Sequence, residues 1–182
     1  RFVGCRYGIG VGNGTDAIIL ALKALGVGRG DEVITAANTA IPTVAAIIEA
    51  GATPKLVDVT PDTLLLDPGK LPRAITKRTR AIIPVHLYGR PCDMDAIIRI
   101  AREKKLFVLE DCAQAAGAGV GSKGDIAAFS FYPTKIIGTY GDGGMITTNN
   151  VVLAKRARSL RMYGTTDNYV AKIPGGVNSR LD

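Results

Sequence analysis

The sequence predicts a three-layer α/β domain, in which helices cover both faces of a mostly parallel central sheet. Short runs rich in β-branched and aromatic residues alternate along the chain with stretches of helical periodicity. The runs AIIPV at 81–85 and LFVLE at 106–110 are apolar almost throughout, as expected of strands that are covered on both faces. Hydrophobic residues make up 47% of the 182 residues and charged residues 21%, which is the composition of a globular protein.

Strands and helices follow one another in a regular order. Strands are predicted at 33–36, 55–59, 81–85, 106–110, 126–131 and 145–148, and one more is expected shortly after residue 1. Helices are predicted at 15–25, 42–50, 93–104 and 151–161. Pro42 suits the first turn of its helix, and Gly51, Gly89 and Pro91 lie at joints between elements. We therefore expect one domain, or most of one, over residues 1–182.

The cysteines and the apolar runs exclude several classes of protein. Cys5, Cys92 and Cys112 are widely spaced and form no C-x-x-C pair, so neither a zinc or other metal site nor a disulfide framework is expected. No run approaches about 18 uninterrupted apolar residues, and the first residues lack the features of an export signal. We expect a cytoplasmic protein without a membrane span. The first residue is Arg1 rather than Met, and we expect an internal piece of a longer protein.

The formal net charge of +7 indicates anionic small-molecule ligands rather than nucleic acid. The basic residues are spread over 70–80, 99–105 and 155–161, and two of these stretches are typical of solvated helix faces. Aromatic residues amount to only 5%. Nucleic-acid binding is therefore not expected.

A glycine-rich turn, in GIGVGNGTDAIILALKAL (8–25), is the first candidate site, because ligands of such sheets bind beyond the carboxyl ends of the strands. Gly12 and Gly14 let the backbone approach a ligand, and Thr15 can cap a helix whose N–H groups and dipole favour a phosphate. A tight turn with an ordinary N-cap explains the same residues equally well. The G-x-G-x-x-G dinucleotide fingerprint fails, since Thr15 stands where its third glycine is required.

A carboxylate at a strand end, in LFVLEDCAQAAGA (106–118), is the second candidate. Asp111 ends a predicted buried strand, where an unpaired carboxylate is costly, so a cationic or hydrogen-bonding partner is expected. Gln114 can reach the same ligand if the chain turns there. The alternative is an Asp that only caps the next helix.

A lysine that follows an aromatic strand, in FSFYPTKIIGTYGDGG (129–144), is the third candidate. Ser130 alternates with the two phenylalanines and can offer its hydroxyl at the strand end. Lys135 lies near the same edge of the sheet, where a desolvated amine could attack a carbonyl. A surface lysine in a loop is the alternative.

The three candidates together form the set that pyridoxal phosphate requires. Its phosphate is bound by a helix N-terminus, its protonated ring nitrogen by a carboxylate, and its aldehyde by a lysine amine. We therefore predict pyridoxal 5′-phosphate as the cofactor.

Seven stretches support this prediction by resemblance. They are GNGTDAI (12–18), DEVIT (31–35), PVHLYG (84–89), LEDCAQA (109–115), AAFSFYPTK (127–135), GDGGMITT (141–148) and NSRLD (178–182). In this order they resemble the DegT/DnrJ/EryC1/StrS family of sugar aminotransferases, pyridoxal phosphate enzymes of fold type I. The resemblance covers essentially the whole chain and implies the large, cofactor-binding domain, without the C-terminal small domain of the family.

The resemblance implies a role for each matching residue. Lys135 matches the lysine that holds the cofactor as an internal aldimine and shuttles the proton. Asp111 matches the carboxylate that keeps the ring nitrogen protonated. Gln114 matches the residue that hydrogen-bonds the ring hydroxyl. The phosphate cradle matches four positions: Gly14, Thr15, the backbone of Asp16 and Ser130. Asn178 matches an asparagine that reaches the neighbouring subunit's phosphate site, and Arg180 an arginine for a substrate carboxylate.

Four positions qualify the resemblance. The family often has an aromatic ring that stacks on the cofactor, and this chain has Ala40 there. The family often has an asparagine directly after the lysine, where this chain has Ile136, and a histidine two residues after the glutamine, where it has Ala116. His86 keeps its family setting near a strand end and is a candidate substrate residue, although such a histidine is more often structural.

The implied activity is transfer of an amino group from an amino acid, expected to be L-glutamate, to a nucleotide-linked keto sugar. A homodimer with shared active sites is expected. Two alternatives stay open: a non-covalent nucleotide-binding α/β module, and a sugar dehydratase of the same family. The dehydratases have histidine where this chain has Lys135.

Overall fold

The computed structural model describes residues 2–165 and 170–181, which contain a seven-stranded sheet. The strands are β1 (Tyr7–Val11), β2 (Glu32–Ala36), β3 (Thr53–Val57), β4 (Thr79–Ile83), β5 (Phe107–Asp111), β6 (Ile126–Ser130) and β7 (Gly144–Thr148). Their spatial order is β1-β7-β6-β5-β4-β2-β3. Neighbouring strands from β6 to β3 pair in parallel, whereas β7 pairs antiparallel with both β1 and β6. The sheet is mostly parallel, as predicted.

The helices cover this sheet in the predicted three-layer arrangement. They are α1 (Gly14–Leu25), α2 (Ile41–Glu49), the single turn α3 (Leu71–Ala74), α4 (Met94–Glu103) and α5 (Val151–Leu160). α1 packs against α2, α5, β6 and β7, while α4 packs against β5. The long buried side chains of α1 and the central strands, such as Leu20, Ile34 and Ile82, form the core. Among the described residues, no helix is long and apolar enough to span a membrane.

The predicted elements are present with small shifts. β3 and β4 begin earlier than predicted, at Thr53 and Thr79. The prediction started each strand at its apolar run, whereas the backbone already pairs at these threonines, which both lie opposite Glu32 of β2. The helix α3 and two 3₁₀ turns, Pro68–Lys70 and Leu87–Gly89, were not predicted.

Strand direction places the candidate residues at one edge of the sheet. Because β1 and β6 both run antiparallel to β7, β1 and β6 are parallel, and their carboxyl ends lie at the same edge as that of β5. α1 begins at this edge with Gly14, which lies three residues after Val11 and directly follows the N-cap Asn13. Asp111 and Ser130 are the last residues of β5 and β6.

Candidate active site

A cavity of about 260 Å³ lies at this edge, between the start of α1, the start of α2 and the ends of β5 and β6. Six of the predicted site residues line it: Gly14, Thr15, Asp111, Gln114, Ser130 and Lys135. Ala40 and Thr43 line the α2 side, and Asp142 lines the cavity from the loop between β6 and β7 that also carries Lys135. Residues far apart in sequence thus meet in one cavity, as the predicted sheet requires.

The start of α1 contributes free backbone donors. Asn13, not the predicted Thr15, is the N-cap: its side chain accepts from the Asp16 N–H at 2.7 Å, and its carbonyl accepts from the Ala17 N–H at 3.1 Å. The N–H groups of Gly14 and Thr15 have no acceptor within the described part of the chain. These two donors and the helix dipole favour an anionic group such as a phosphate.

Gly14 allows α1 to approach β6 closely. A Cβ atom added at Gly14 would lie 2.6 Å from the Ser130 Cβ, which is closer than any real contact. The Ser130 hydroxyl accepts weakly from the Tyr132 N–H at 3.4 Å and is otherwise available. On the other side, a Cβ atom added at Gly144 would overlap the Asn13 carbonyl. The missing Cβ atoms of these two glycines therefore let α1 lie close to Ser130 and let the N-cap Asn13 lie close to β7.

Asp111 is a buried carboxylate with one donor on each oxygen. Its side chain is almost fully buried, Oδ1 accepts from the Ala113 N–H at 3.1 Å, and Oδ2 accepts from the Thr43 hydroxyl at 2.8 Å. Burial raises the pKa of Asp111, while these two hydrogen bonds and the nearby amine of Lys135 lower it. Since burial prevails, the ionised form lacks full compensation, and a bound cation would supply it.

Gln114 is held in one orientation. Its Oε1 accepts from the Tyr88 N–H at 2.9 Å, so the amide NH₂ is left to donate. Tyr88 itself has a left-handed backbone, with φ of 58°, which is uncommon for a residue other than glycine. The turn after β4 therefore fixes which end of Gln114 is offered to a ligand.

Lys135 lies in a tightly bonded loop between β6 and β7. Its N–H donates to the Tyr132 carbonyl at 2.8 Å, and the Thr139 hydroxyl closes the loop on the Phe131 carbonyl at 2.8 Å. The side chain is half-buried, and its amine makes no hydrogen bond or salt bridge with any described residue. The amine is thus available at the cavity.

His86 does not line the cavity. Its ring is fully buried, its Nε2 lies 3.0 Å from Glu110 Oε2, and its Nδ1 accepts from the Cys92 N–H at 3.0 Å. Since Nδ1 is an acceptor, Nε2 carries the proton and donates it to the carboxylate. His86 therefore has a structural position in its own chain, which is the more frequent of the two roles considered for it.

Glu110 binds the loop at 121–124 to β5. It accepts from the N–H groups of Gly121, Lys123 and Gly124 in addition to His86. The ligand atoms of His86, Glu110 and Cys112 lie within 4.8 Å of one another, a spacing that a metal could bridge. The carboxylate's lone pairs already accept four hydrogen bonds, so this cluster serves the fold.

Besides His86, three predicted residues lie outside the cavity lining: Asp16, Asn178 and Arg180. The Asp16 N–H is occupied by the cap, and its carboxylate accepts from the Ser179 hydroxyl at 2.6 Å. Ser179 in turn accepts from the Gly12 N–H at 2.9 Å and is buried. Asn178 and Arg180, on either side of this anchor, are exposed. The structure therefore does not bring these two into the cavity of their own chain.

The sequence reasoning missed Thr43, Glu110 and Ser179. Alternation along β5 could have revealed Glu110, because a second carboxylate beside Asp111 must face the opposite side of a strand that is buried on both faces. No local pattern marks Thr43 or Ser179, since their partners are far away in sequence.

A solved structure defines the class of protein. The crystal structure of S. venezuelae DesV, in complex with a ketimine intermediate, matches with a TM-score of 0.95 at 46% identity and covers 100% of this chain and 50% of DesV. The fold is thus that of a fold type I aminotransferase.

The chain belongs to the DegT/DnrJ/EryC1/StrS aminotransferase family, which matches residues 1–182 and confirms the resemblance of the seven stretches. The dTDP-3-amino-3,4,6-trideoxy-alpha-D-glucose transaminase of Micromonospora megalomicea subsp. nigra is 50% identical over 100% of this chain and 50% of its own length. The UDP-N-acetyl-3-dehydro-alpha-D-glucosamine 3-aminotransferase of Acidithiobacillus ferrooxidans is 48% identical, over 98% of this chain and 50% of its own length. The chain spans about half the length of the curated relatives it matches.

Proposed function

We propose that residues 1–182 are the cofactor-binding large domain of a pyridoxal phosphate aminotransferase. The enzyme moves an amino group from an amino acid, for which we propose L-glutamate, to a nucleotide-linked keto sugar. One observation carries the proposal. A single cavity unites two free N–H groups and a hydroxyl for a phosphate, a buried carboxylate for a ring nitrogen, an oriented amide, and a lysine amine. Pyridoxal phosphate uses all of these groups.

The residues of the cavity fit this cofactor. Gly14 and Thr15 would bind the phosphate with their N–H groups, and Ser130 with its hydroxyl. Asp111 would gain the cation that its buried carboxylate lacks. The Gln114 NH₂ would donate to the ring oxygen, since its Oε1 is held by the Tyr88 N–H.

The chain's own residues then have separate tasks. When bound, the cofactor withdraws electrons from the bond that breaks at the α-carbon of the amino acid. Asp111 would hold a proton on the ring nitrogen, which would make this withdrawal effective. Lys135 Nζ would hold the cofactor covalently, and once free it would be placed to move the proton of the α-carbon. The N–H groups at the start of α1 would hold the phosphate while Lys135 is free.

The names of the relatives support nucleotide-linked sugars as the acceptor. The names of the two relatives described above contain a dTDP-linked and a UDP-linked sugar, respectively. The formal net charge of +7 suits such anionic substrates. We propose further that Asn178 and Arg180 complete the site of a neighbouring subunit, because they are exposed and lie outside their own cavity.

The test uses the full-length protein that contains this chain. We expect it to bind pyridoxal phosphate as a yellow species that glutamate bleaches, and borohydride reduction followed by peptide mapping to find the cofactor on the Lys135 peptide. Lys135→Ala should abolish the adduct and lower activity by at least about 10³-fold, because covalent and proton-transfer roles are lost together. Lys104→Ala, an exposed control on α4's C-terminal side, should retain both.

A folded, dimeric protein without an adduct at Lys135 would contradict the covalent mechanism. The non-covalent nucleotide-binding module would then be the better description.

A further inference from the structure

Thr43 connects the start of α2 to the carboxylate of the candidate site. Its side chain is 2% exposed, and its hydroxyl lies 2.8 Å from Asp111 Oδ2 and 2.8 Å from the Thr39 hydroxyl. An ionised carboxylate only accepts, so the Thr43 proton points to Asp111. The Thr43 oxygen is then free to accept from Thr39. The two threonines form a directed chain of hydroxyls that ends on the carboxylate.

This chain fixes the plane of the Asp111 carboxylate. The Ala113 N–H holds Oδ1, and the Thr43 hydroxyl holds Oδ2. Each oxygen has a further lone pair for a ligand in the cavity. Without the Thr43 hydroxyl only one anchor remains, and the carboxylate can rotate away from the position at which it meets a ring nitrogen.

The same chain fixes one wall of the cavity. Ala40, the N-cap of α2, has no side-chain cap, and both Ala40 and Pro42 line the cavity between the two threonines. The Thr43 N–H donates to the Ala40 carbonyl at 3.2 Å. The backbone bond closes the first turn of α2, and the Thr43 hydroxyl holds this turn to β5.

We propose that Thr43 is the positioning residue for Asp111, and that Thr39 orients the Thr43 hydroxyl, so that the pair sets how strongly the carboxylate holds the cofactor ring. This inference rests on the proposed function. Thr43 does not touch the reacting atoms and acts only through Asp111. Its loss should therefore weaken cofactor binding, and restoring the hydroxyl alone should recover it.

The experiment compares three variants of the full-length protein with the wild type. Hydrogen bonds to charged groups predict that Thr43→Val raises the dissociation constant of pyridoxal phosphate about tenfold to a hundredfold. Thr43→Ser keeps the hydroxyl and should stay within about threefold of the wild type, and Thr39→Val should weaken binding about threefold. Thr53→Val, at an exposed threonine of the edge strand β3, is the matched control and should change nothing.

Binding is measured by absorbance and fluorescence titration of the apo protein, with its unfolding midpoint recorded for each variant. Equal weakening in Thr43→Val and Thr43→Ser, or no weakening in either, would overturn the positioning role while the wild-type adduct at Lys135 still supports the proposed function. If Thr43→Val does not fold, an unchanged dissociation constant in Thr39→Val overturns the hydroxyl chain. If the wild type does not bind the cofactor, the proposed function fails and this inference fails with it.

Discussion

The pKa values of two neighbouring carboxylates on β5, Glu110 and Asp111, are shifted in opposite directions. Burial raises the pKa of Glu110, but hydrogen bonds from His86 and from the N–H groups of Gly124 and Gly121 outweigh it, and the net pKa is lowered. Burial also raises the pKa of Asp111, and there its fewer hydrogen bonds do not compensate. Glu110 is therefore a satisfied anchor of the fold. Asp111 keeps an unmet preference for a cation, which is typical of a functional residue.

This difference predicts how Asp111 affects the stability of the apo protein. The folded-state pKa of Asp111 is raised, so its stabilising contribution is present below the unfolded value of about 3.9 and is lost as the pH rises through the folded value. Asp111→Asn should therefore make the full-length apo protein more stable than the wild type at pH 7, with a smaller gain near pH 4. Urea unfolding at both pH values measures this.

The same substitution should weaken cofactor binding by at least about a hundredfold, because it removes one partner of a buried ion pair. Asp95→Asn, whose side chain is 87% exposed, serves as the control. An apo Asp111→Asn protein that is less stable than the wild type at pH 7 would show that the ionised Asp111 carboxylate does not destabilise the folded apo protein.

At the scale of elements, the start of α1 shows what local sequence can predict. The glycine-rich turn and the helix after it were predicted, and both are present. The cap was assigned to Thr15, but Asn13 supplies it, and its side chain occupies the Asp16 N–H. Asparagine and threonine are both good caps, and only the backbone at the end of β1 decides between them. The choice matters because it determines which N–H groups are left for a ligand.

The close contact between α1 and β6 predicts an unusual glycine. Gly14→Ala should lower the free energy of unfolding by about 1–3 kcal/mol, because the new methyl group overlaps Ser130. In an ordinary helix this substitution would be favourable. Cofactor affinity should fall as well. Gly28→Ala is the control, since its Cβ would lie 3.6 Å from the nearest atom, an ordinary contact. Equal stability of the two variants would show that the contact is relaxed.

At the scale of the whole molecule, strand order explains why the candidate site could be predicted. Parallel strands bring their carboxyl ends to one edge, so residues after each run meet even without a known structure. The sequence left two roles open for His86, because its partner Glu110 lies on another strand and no local pattern predicts that contact. For Asn178 and Arg180, a role in the site of a neighbouring subunit stays a prediction from the resemblance.

Shared active sites can be tested by mixing subunits. In a dimer whose sites each combine Lys135 of one subunit with Arg180 of the other, Lys135→Ala and Arg180→Ala homodimers are both inactive. After unfolding and refolding of an equal mixture, half of the dimers are mixed and each has one intact site, so about a quarter of the wild-type activity should return. Mixed dimers, verified by differently tagged subunits, that remain inactive would place both residues in one subunit's site.

The two unpaired N–H groups at the start of α1 have a practical consequence for work with this protein. A helix N-terminus with open donors binds inorganic phosphate or sulfate as well as a phosphate ester. If Gly14 and Thr15 bind the cofactor phosphate as proposed, such buffer ions compete with the cofactor for the same N–H groups. Cofactor affinity measured in phosphate buffer should then be lower than affinity measured in a buffer of bulky zwitterions.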